Sequence, residues 1–416
     1  MSPLRIAIVG AGPVGLTLAR LLLNKPDIEV TVFESEKSRE VRGQGGTLDL
    51  HTDTGLAALK EAGLYDEFLK NARFDGEALV ICDKHLTKYV NFSGHEEGST
   101  RGRPEIDRKL LREMLLDSIP PEIIRWGYHL RAIDESRNLI FDQGTETGFD
   151  LVVGADGAWS KTRKLVSAQK PNYSGVTGIT FAIPNAKETA PQCYSLTNRG
   201  SVFSYSDGKS IMSQQLGNGS LSVYVWSVRP ESWMDNMPFD INDIEAVKKS
   251  IREEFQGWHP DLLNCVNHGQ DPVPRRLYML PVGFSWQNRP GVTLIGDSAH
   301  VMTPFAGEGV NLGMEDALML SRAIIKASKS ANRSDILTEE IKTFEKDLFT
   351  RAERTASLTN DLMMWLLFTD SAPRSVVEKV GVRVATFEHR SLVMKALYPF
   401  LVASIYAFYF VFKLFH

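Results

Sequence analysis

The first thirty-four residues constrain this chain more than any other stretch. Leu4-Arg5-Ile6-Ala7-Ile8-Val9 is an apolar, β-branched run of strand length, and it ends in Gly10-Ala11-Gly12-Pro13-Val14-Gly15, a G-x-G-x-x-G pattern. Leu16 to Leu23 then reads as a helix, and Glu29-Val30-Thr31-Val32-Phe33 as a second strand stopping at Glu34. A glycine triplet alone is weak evidence, since glycines also serve ordinary turns. The order strand, glycine turn, helix, strand, acid is far more specific, because each part has a task in holding a dinucleotide. Gly10 permits the tight turn, Gly12 lets the backbone approach a pyrophosphate, and Gly15 lets helix and strand pack closely. The helix start offers N–H groups and a positive dipole end to the phosphates. Glu34 follows the glycines at about the twenty-residue spacing where a carboxylate accepts ribose hydroxyls. A Rossmann-type α/β unit is the expectation.

At 416 residues the chain has room for two or three structural units. Its 47 basic and 51 acidic side chains leave a net charge of −4, so no basic field calls for nucleic acid. Cys82, Cys193 and Cys265 are far apart, odd in number and outside any C-x-x-C. That argues against a disulfide framework or a metal site and for a reducing compartment. A core strand beginning at Leu4 leaves no room for a cleaved leader, so a cytoplasmic setting is expected.

Residues 39–50 are rich in glycine and charge and read as a loop close to a ligand. Thr54 to Lys70 is helical in spacing, Phe74 to Phe92 reads as a hairpin, and Ile106 to Ser118 as an amphipathic helix with Arg108 and Arg112 four apart. Short strands are expected over 125–149, β alternation over Ser195 to Val228, and a helix over Asn242 to Phe255. From Ala396 to Phe412 no residue is charged, and the stretch carries Tyr398, Tyr406 and Tyr409 with Phe400, Phe408, Phe410 and Phe412. Such a helix must be buried in something, either the protein body or lipid.

Two further motifs lie far from the first. Asp150-Leu151-Val152-Val153-Gly154-Ala155-Asp156-Gly157 is a buried strand running into a turn, followed by Trp159 to Arg163. Val292-Thr293-Leu294-Ile295-Gly296-Asp297 is another strand delivering a carboxylate, and Thr303 to Gly309 is a glycine-bearing loop delivering the start of a helix from Val310 to about Lys326. A carboxylate there can hold ribityl hydroxyls, and a helix start can stabilise negative charge on a reduced flavin ring. His300 reads as ordering its loop, because the sequence supplies no partner that would make it a base.

In this order the motifs resemble the class A flavoprotein monooxygenases of the para-hydroxybenzoate hydroxylase type. Within that group the chain is most similar to the tetracycline-inactivating flavin monooxygenases, through GPVGLTLARLL, GGTLDLH (Gly45 to His51), PEIDRKLLR (Pro104 to Arg112), SKTRK (Ser160 to Lys164) and PFAGEGVN (Pro304 to Asn311). The resemblance covers roughly residues 4 to 350. It implies that FAD is held by Gly10, Gly12, Gly15, Glu34, Asp49, Arg108, Asp156, Gly296 and Asp297. Pro304, Gly307, Gly309, Val310 and Asn311 would run along the isoalloxazine ring, and Arg42 would lie where NADPH approaches. It further implies an FAD-binding domain over 1–72, 101–175 and 282–330, with an inserted, sheet-rich substrate domain over 73–100 and 176–281. C-terminal helices would follow over 331–395 and an apolar tail, a candidate membrane anchor, over 396–416. No second G-x-G-x-x-G is present, as suits a nicotinamide that visits the flavin without a domain of its own.

The implied activity is transfer of one oxygen atom from O2, through a C4a-hydroperoxyflavin, to an aromatic, polyketide-like or other electron-rich small molecule, by a monomer. Several residues depart from the tetracycline-inactivating pattern: Ser35 stands where arginine is usual, Thr303 where proline is, and Glu308 where glutamine is. No side chain for substrate activation can be named, and Met212, Tyr224 and Trp226 are strand-borne candidates for a pocket wall. Two other readings stay open, a flavin-dependent reductase of an isoprenoid-like substrate and a binding protein that has kept the nucleotide fold. A flavin halogenase is disfavoured because its W-x-W-x-I-P stretch is absent.

Overall fold

A computed structural model describes residues 2–40, 45–74, 76–94, 103–388 and 392–415. The chain forms two compact units, one of Met1–Arg73, Glu105–Asn172 and Tyr278–Ser357, the other of Phe74–Pro104, Tyr173–Leu277 and Leu358–His416.

The first unit is built on a five-stranded sheet in the order Val292–Leu294, Leu151–Gly154, Leu4–Val9, Ile28–Glu34, Ile124–Trp126, with every neighbouring pair parallel. Strands buried on both faces are apolar at successive positions, and these are. Ile6, Ile8, Val32, Leu151 and Val153 point into the main core, while Ala7, Val9, Phe33 and Val152 point into a second cluster with Leu139 and Phe141 of a small antiparallel sheet. Parallel pairing brings the carboxyl ends of Leu4–Val9, Ile28–Glu34, Leu151–Gly154 and Val292–Leu294 to one edge of the sheet, and every sequence motif follows one of those ends. The helix Pro13–Leu22 crosses the helix Gly309–Ser328 closely, because a Cβ on Gly313 would stand 2.6 Å from Val14 Cγ2. Leu337, Ile341, Phe344 and Leu348, one stripe of the long helix Arg333–Phe368, complete this core.

The amphipathic helix begins at Arg108, two residues later than its periodicity suggests. Glu105–Asp107 instead pairs antiparallel with Thr47–Asp49, and the Arg108 amide donates to the Gly46 carbonyl at 3.1 Å.

The second unit carries a seven-stranded sheet in the order Gln270–Met279, Asn172–Ile183, Leu221–Val228, Lys209–Gln215, Ser201–Ser206, Leu79–Cys82, Lys88–Phe92. Ile179, Phe181, Ile211, Val223 and Val225 pack against Val247, Ile251, Leu262 and Val266 of the helices Ile244–Glu254 and Pro260–Asn267. Alternation along a strand then sends Met212, Tyr224 and Trp226 to the opposite face. Met212 and Tyr224 are register partners, and the Tyr224 and Trp226 rings stack with centroids 6.3 Å apart. The expected β run is shorter at its start, since Ser195 to Thr197 end the helix Pro191–Thr197, which proline initiates. In the terminal helix Leu392–Phe415, the Tyr409 hydroxyl donates to the Tyr89 carbonyl at 3.0 Å and Lys413 pairs with Glu378 at 2.7 Å.

Candidate cofactor site

The glycines of the first turn separate into two kinds. Gly10 has φ +110° and a Cβ there would lie 2.3 Å from the Ala155 carbonyl oxygen, while a Cβ on Gly15 would lie 2.1 Å from that of Gly10. Both are required by the fold itself. Around Gly12 no atom stands within 4 Å of a built Cβ, so the protein alone does not demand glycine there. Gly12 also begins the Pro13–Leu22 helix without any side-chain cap, leaving its first N–H groups to a ligand.

Glu34 ends its strand beside this turn and is buried. Its Oε2 accepts the Ala11 amide at 2.6 Å, and Oε1 accepts the Ser35 hydroxyl and the Glu36 amide at 3.0 and 2.9 Å. An ionised carboxylate has about four acceptor positions, so these bonds leave room for one further donor. Ser35, where the resemblance expects arginine, therefore helps to orient the acid.

Arg112 is a site residue that sequence reasoning missed. Its guanidinium donates to the carbonyls of Ala11 and Arg39 at 3.4 and 3.2 Å, pairs with Glu36 at 2.7 Å and lies over the Trp126 ring. It thus ties the glycine turn to the segment after Glu34. The available signal was an arginine in line with the buried positions of an amphipathic helix. Arg108, four residues earlier, is exposed at the helix start.

The other two strand ends are coupled as well. Asp156 organises its own turn: Oδ1 accepts the Ser160 hydroxyl at 2.6 Å, and Oδ2 accepts the amides of Lys161 and Thr162 at 2.8 and 3.1 Å. Buried Arg163 donates to the Ser298 and Ala158 carbonyls, and the Ser298 hydroxyl donates to the Gly154 carbonyl. Gly296 has φ +61°. Its amide donates to Oδ2 of fully buried Asp316 at 3.0 Å, the same oxygen that meets His300 Nε2 at 2.6 Å, while Asp316 Oδ1 accepts from Arg351 at 2.8 Å. Burial alone would raise the Asp316 carboxyl, but His300, Arg351 and the Gly296 amide together hold it below the ordinary aspartate range. His300 thus has a partner after all, one that locks its loop. From Val292 to Val301, Asp297 alone is exposed apart from its chain neighbours' burial, with its carboxylate at the start of the short helix Asp297–His300.

The loop into the second long helix has Pro304 and Gly307 exposed, Gly307 at φ +70°, and no atom within 4 Å of a Cβ on Gly309. The helix starts at Gly309, again without a side-chain cap, and Val310 is half-buried in its first turn. The buried Asn311 side chain works inside the protein. It donates to the Asp49 carbonyl at 2.8 Å and accepts the His51 amide and the Thr54 hydroxyl at 2.9 and 3.2 Å. This fixes the Thr47–Asp49 strand against the helix start. Arg42 lies outside the described residues.

The residues therefore fit a dinucleotide with a redox ring. Two uncapped helix starts cross at Val14 and Gly313, two glycine positions open onto space that the protein leaves unfilled, and Glu34 and Asp297 each offer a carboxylate at a strand end. The model of the FAD binding domain family matches residues 4–347. The chain belongs to the family of FAD-dependent monooxygenases. It is 31% identical over 415 residues to monooxygenase penA of Penicillium thymicola, covering 86% of this chain and 94% of that one. In fold it is similar to the tetracycline destructase Tet(55), with a TM-score of 0.68, 19% identity and coverage of 93% and 97%. A salicylate hydroxylase substrate complex gives a TM-score of 0.72 at 16% identity, covering 97% of each chain. FAD is the cofactor and oxygen insertion the activity.

Proposed function

We propose that this monooxygenase takes its electrons from NADPH and places one oxygen atom on an aromatic, polyketide-like or other electron-rich small molecule, acting as a monomer. The observation that carries the reading is the pair of uncapped helix starts meeting at Val14 and Gly313, with Gly296 packed on the same valine. Bound FAD supplies the redox chemistry between nicotinamide and O2. The Gly12 helix start takes the pyrophosphate, Glu34 the adenosine ribose and Asp297 the ribityl hydroxyls. The Gly309 helix start then serves the ring, whose gain of negative charge on reduction its dipole favours. Arg112, Arg163 and Asp316 act through the turns they hold. Met212, Tyr224 and Trp226, gathered on one sheet face, are the proposed substrate-binding wall.

The test is the visible spectrum of the purified protein, mixed anaerobically with NADPH and then opened to labelled O2 in the presence of candidate substrates. Yellow protein that bleaches, recovers and yields labelled product supports the reading. Bleaching with no oxygen in any product points to a reductase, and protein without flavin overturns it.

The terminal helix suits a membrane surface. Leu397–Phe415 is long and apolar enough to cross a bilayer, but Tyr409, Lys413 and the Lys413 carbonyl, which accepts from Arg374, hold one side of it to the second unit. The other side exposes Phe400, Phe408, Phe410, Leu414 and Phe415. A helix held on one side and aromatic on the other lies in the lipid interface, where aromatic rings are favoured, instead of crossing it.

A further inference from the structure

His51 sits between two carboxylates at the start of the Gly309 helix. Its Nε2 stands 2.9 Å from Asp49 Oδ2 and its Nδ1 3.4 Å from Glu308 Oε2, with His51 and Glu308 largely shielded from solvent and Asp49 35% exposed. The backbone on both sides is fixed, because Asn311 accepts the His51 amide and donates to the Asp49 carbonyl. A neutral imidazole has one N–H donor and one lone pair, so one ring nitrogen would turn a lone pair towards a carboxylate. Only the imidazolium presents a donor to each acid.

We propose that His51 is a positioning residue whose positive charge, held between Asp49 and Glu308, offsets these acids and so shifts the balance of the site towards reduced FAD. The inference rests on the reading that the Gly309 helix start serves the flavin ring. Glu308 is the residue just before that helix and would bring a negative charge to the place where a reduced ring becomes more negative. His51 offsets the charge of Glu308 while clamping the loop to the Asp49 strand.

The experiment compares wild type with His51→Gln, Glu308→Gln, the double variant and His51→Lys. The readouts are oxidised-FAD affinity, by fluorescence quenching on the apoprotein, and the midpoint potential of the bound flavin, by dye-coupled reduction. A unit charge removed within a few ångströms of the ring in a protein-like dielectric changes the ratio of reduced to oxidised affinity by about tenfold or more. His51→Gln should lower that ratio, Glu308→Gln should raise it, the double variant should return towards wild type, and His51→Lys should hold the wild-type potential. A merely structural histidine would weaken both redox states alike and leave the potential in place. Flavin-loaded His51→Gln protein with an unmoved potential overturns the inference alone, whereas wild type that binds no FAD overturns the functional reading beneath it.

Discussion

Arg163 donates through Nη1 to the Ser298 carbonyl at 2.9 Å and through Nη2 to the Ala158 carbonyl at 2.6 Å. One buried guanidinium thereby fastens the turn that follows Gly154 to the turn that carries Asp297, although 135 residues separate Arg163 from Ser298. The two acid-bearing motifs are one rigid piece.

Arg163→Met should therefore damage binding and folding together. It leaves the buried Ser298 carbonyl without its donor, at about 1–3 kcal/mol, and the half-buried Ala158 carbonyl at less, and frees Asp297 to drift. Urea unfolding of the apoprotein should show a loss of roughly 2–4 kcal/mol, and FAD affinity should fall at least about tenfold. Arg163→Lys should recover only part of this, since an ammonium lacks the rigid fork that reaches both carbonyls. Full affinity in the methionine variant would show that the turns are held independently.

Gly10 and Gly12 should part company on substitution. Gly10→Ala forces a side chain into φ +110° and onto the Ala155 carbonyl, and should destabilise the apoprotein by about 2 kcal/mol or more. Gly12→Ala places its Cβ with no protein atom within 4 Å and should leave apoprotein stability within about 0.5 kcal/mol, while FAD affinity falls at least about tenfold. Thermal melts of the apoproteins with FAD titrations separate the two. Equal destabilisation by both would remove the argument that the space at Gly12 belongs to the cofactor.

Glu105 gives the stability a slope with pH. Burial, with Asp49 opposing it across the sheet, pushes its carboxyl from 4.5 up to about 8 against the pull of Arg73. A carboxyl that binds its proton more tightly in the folded state contributes stability that is fully present below about pH 4.5 and is lost as pH rises through about 8. The loss should be on the order of a few kcal/mol. Unfolding curves of wild type from about pH 5 to about pH 9 should slope downward, and those of Glu105→Gln should be flatter. Parallel curves would mean that Arg73 keeps Glu105 charged throughout.

The sequence made the first unit legible because its motifs are local. A glycine turn, the strand before it and the acid after it lie close along the chain, so the packing roles of Gly10 and Gly15, and the place of Glu34 beside the turn, can be read without the fold. The same holds for the strands ending at Gly154 and Leu294. Arg112, Arg163 and Asp316 stayed hidden because each acts on a partner far along the chain: Ala11, Ser298 and Gly296. Nothing in the local pattern of Asp316 separates a buried acid that accepts the Gly296 amide from an exposed helix acid. The Glu105–Asp107 strand was absorbed into a helix for the same reason, since its pairing partner is Thr47–Asp49. His51 was visible only as one letter of a shared stretch, and its two carboxylates come from different elements.

The terminal helix yields the last expectation. Its inner side is held by the Tyr409 bond to Tyr89 and the Lys413–Glu378 pair, while Phe408 and Phe410 are 61% and 66% exposed. Replacing both phenylalanines by aspartate removes the Phe408 ring contacts with Tyr409 and Phe412 but leaves the Tyr409–Tyr89 bond and the Lys413–Glu378 pair in place, so the fold should survive with a melting temperature near wild type. Lipid contact should not survive, since two charges would have to enter the interface and two aromatic anchors would be lost. Wild type should float with phosphatidylcholine vesicles, and the double aspartate variant should stay in the aqueous fraction. Because the inner side stays docked, vesicle-bound wild type should keep Lys413 near Glu378, and Glu378→Gln should loosen the helix without abolishing flotation. Wild type that ignores vesicles and elutes as a dimer, with the aspartate variant monomeric, would assign the aromatic face to a second copy of the chain and sink the lipid reading.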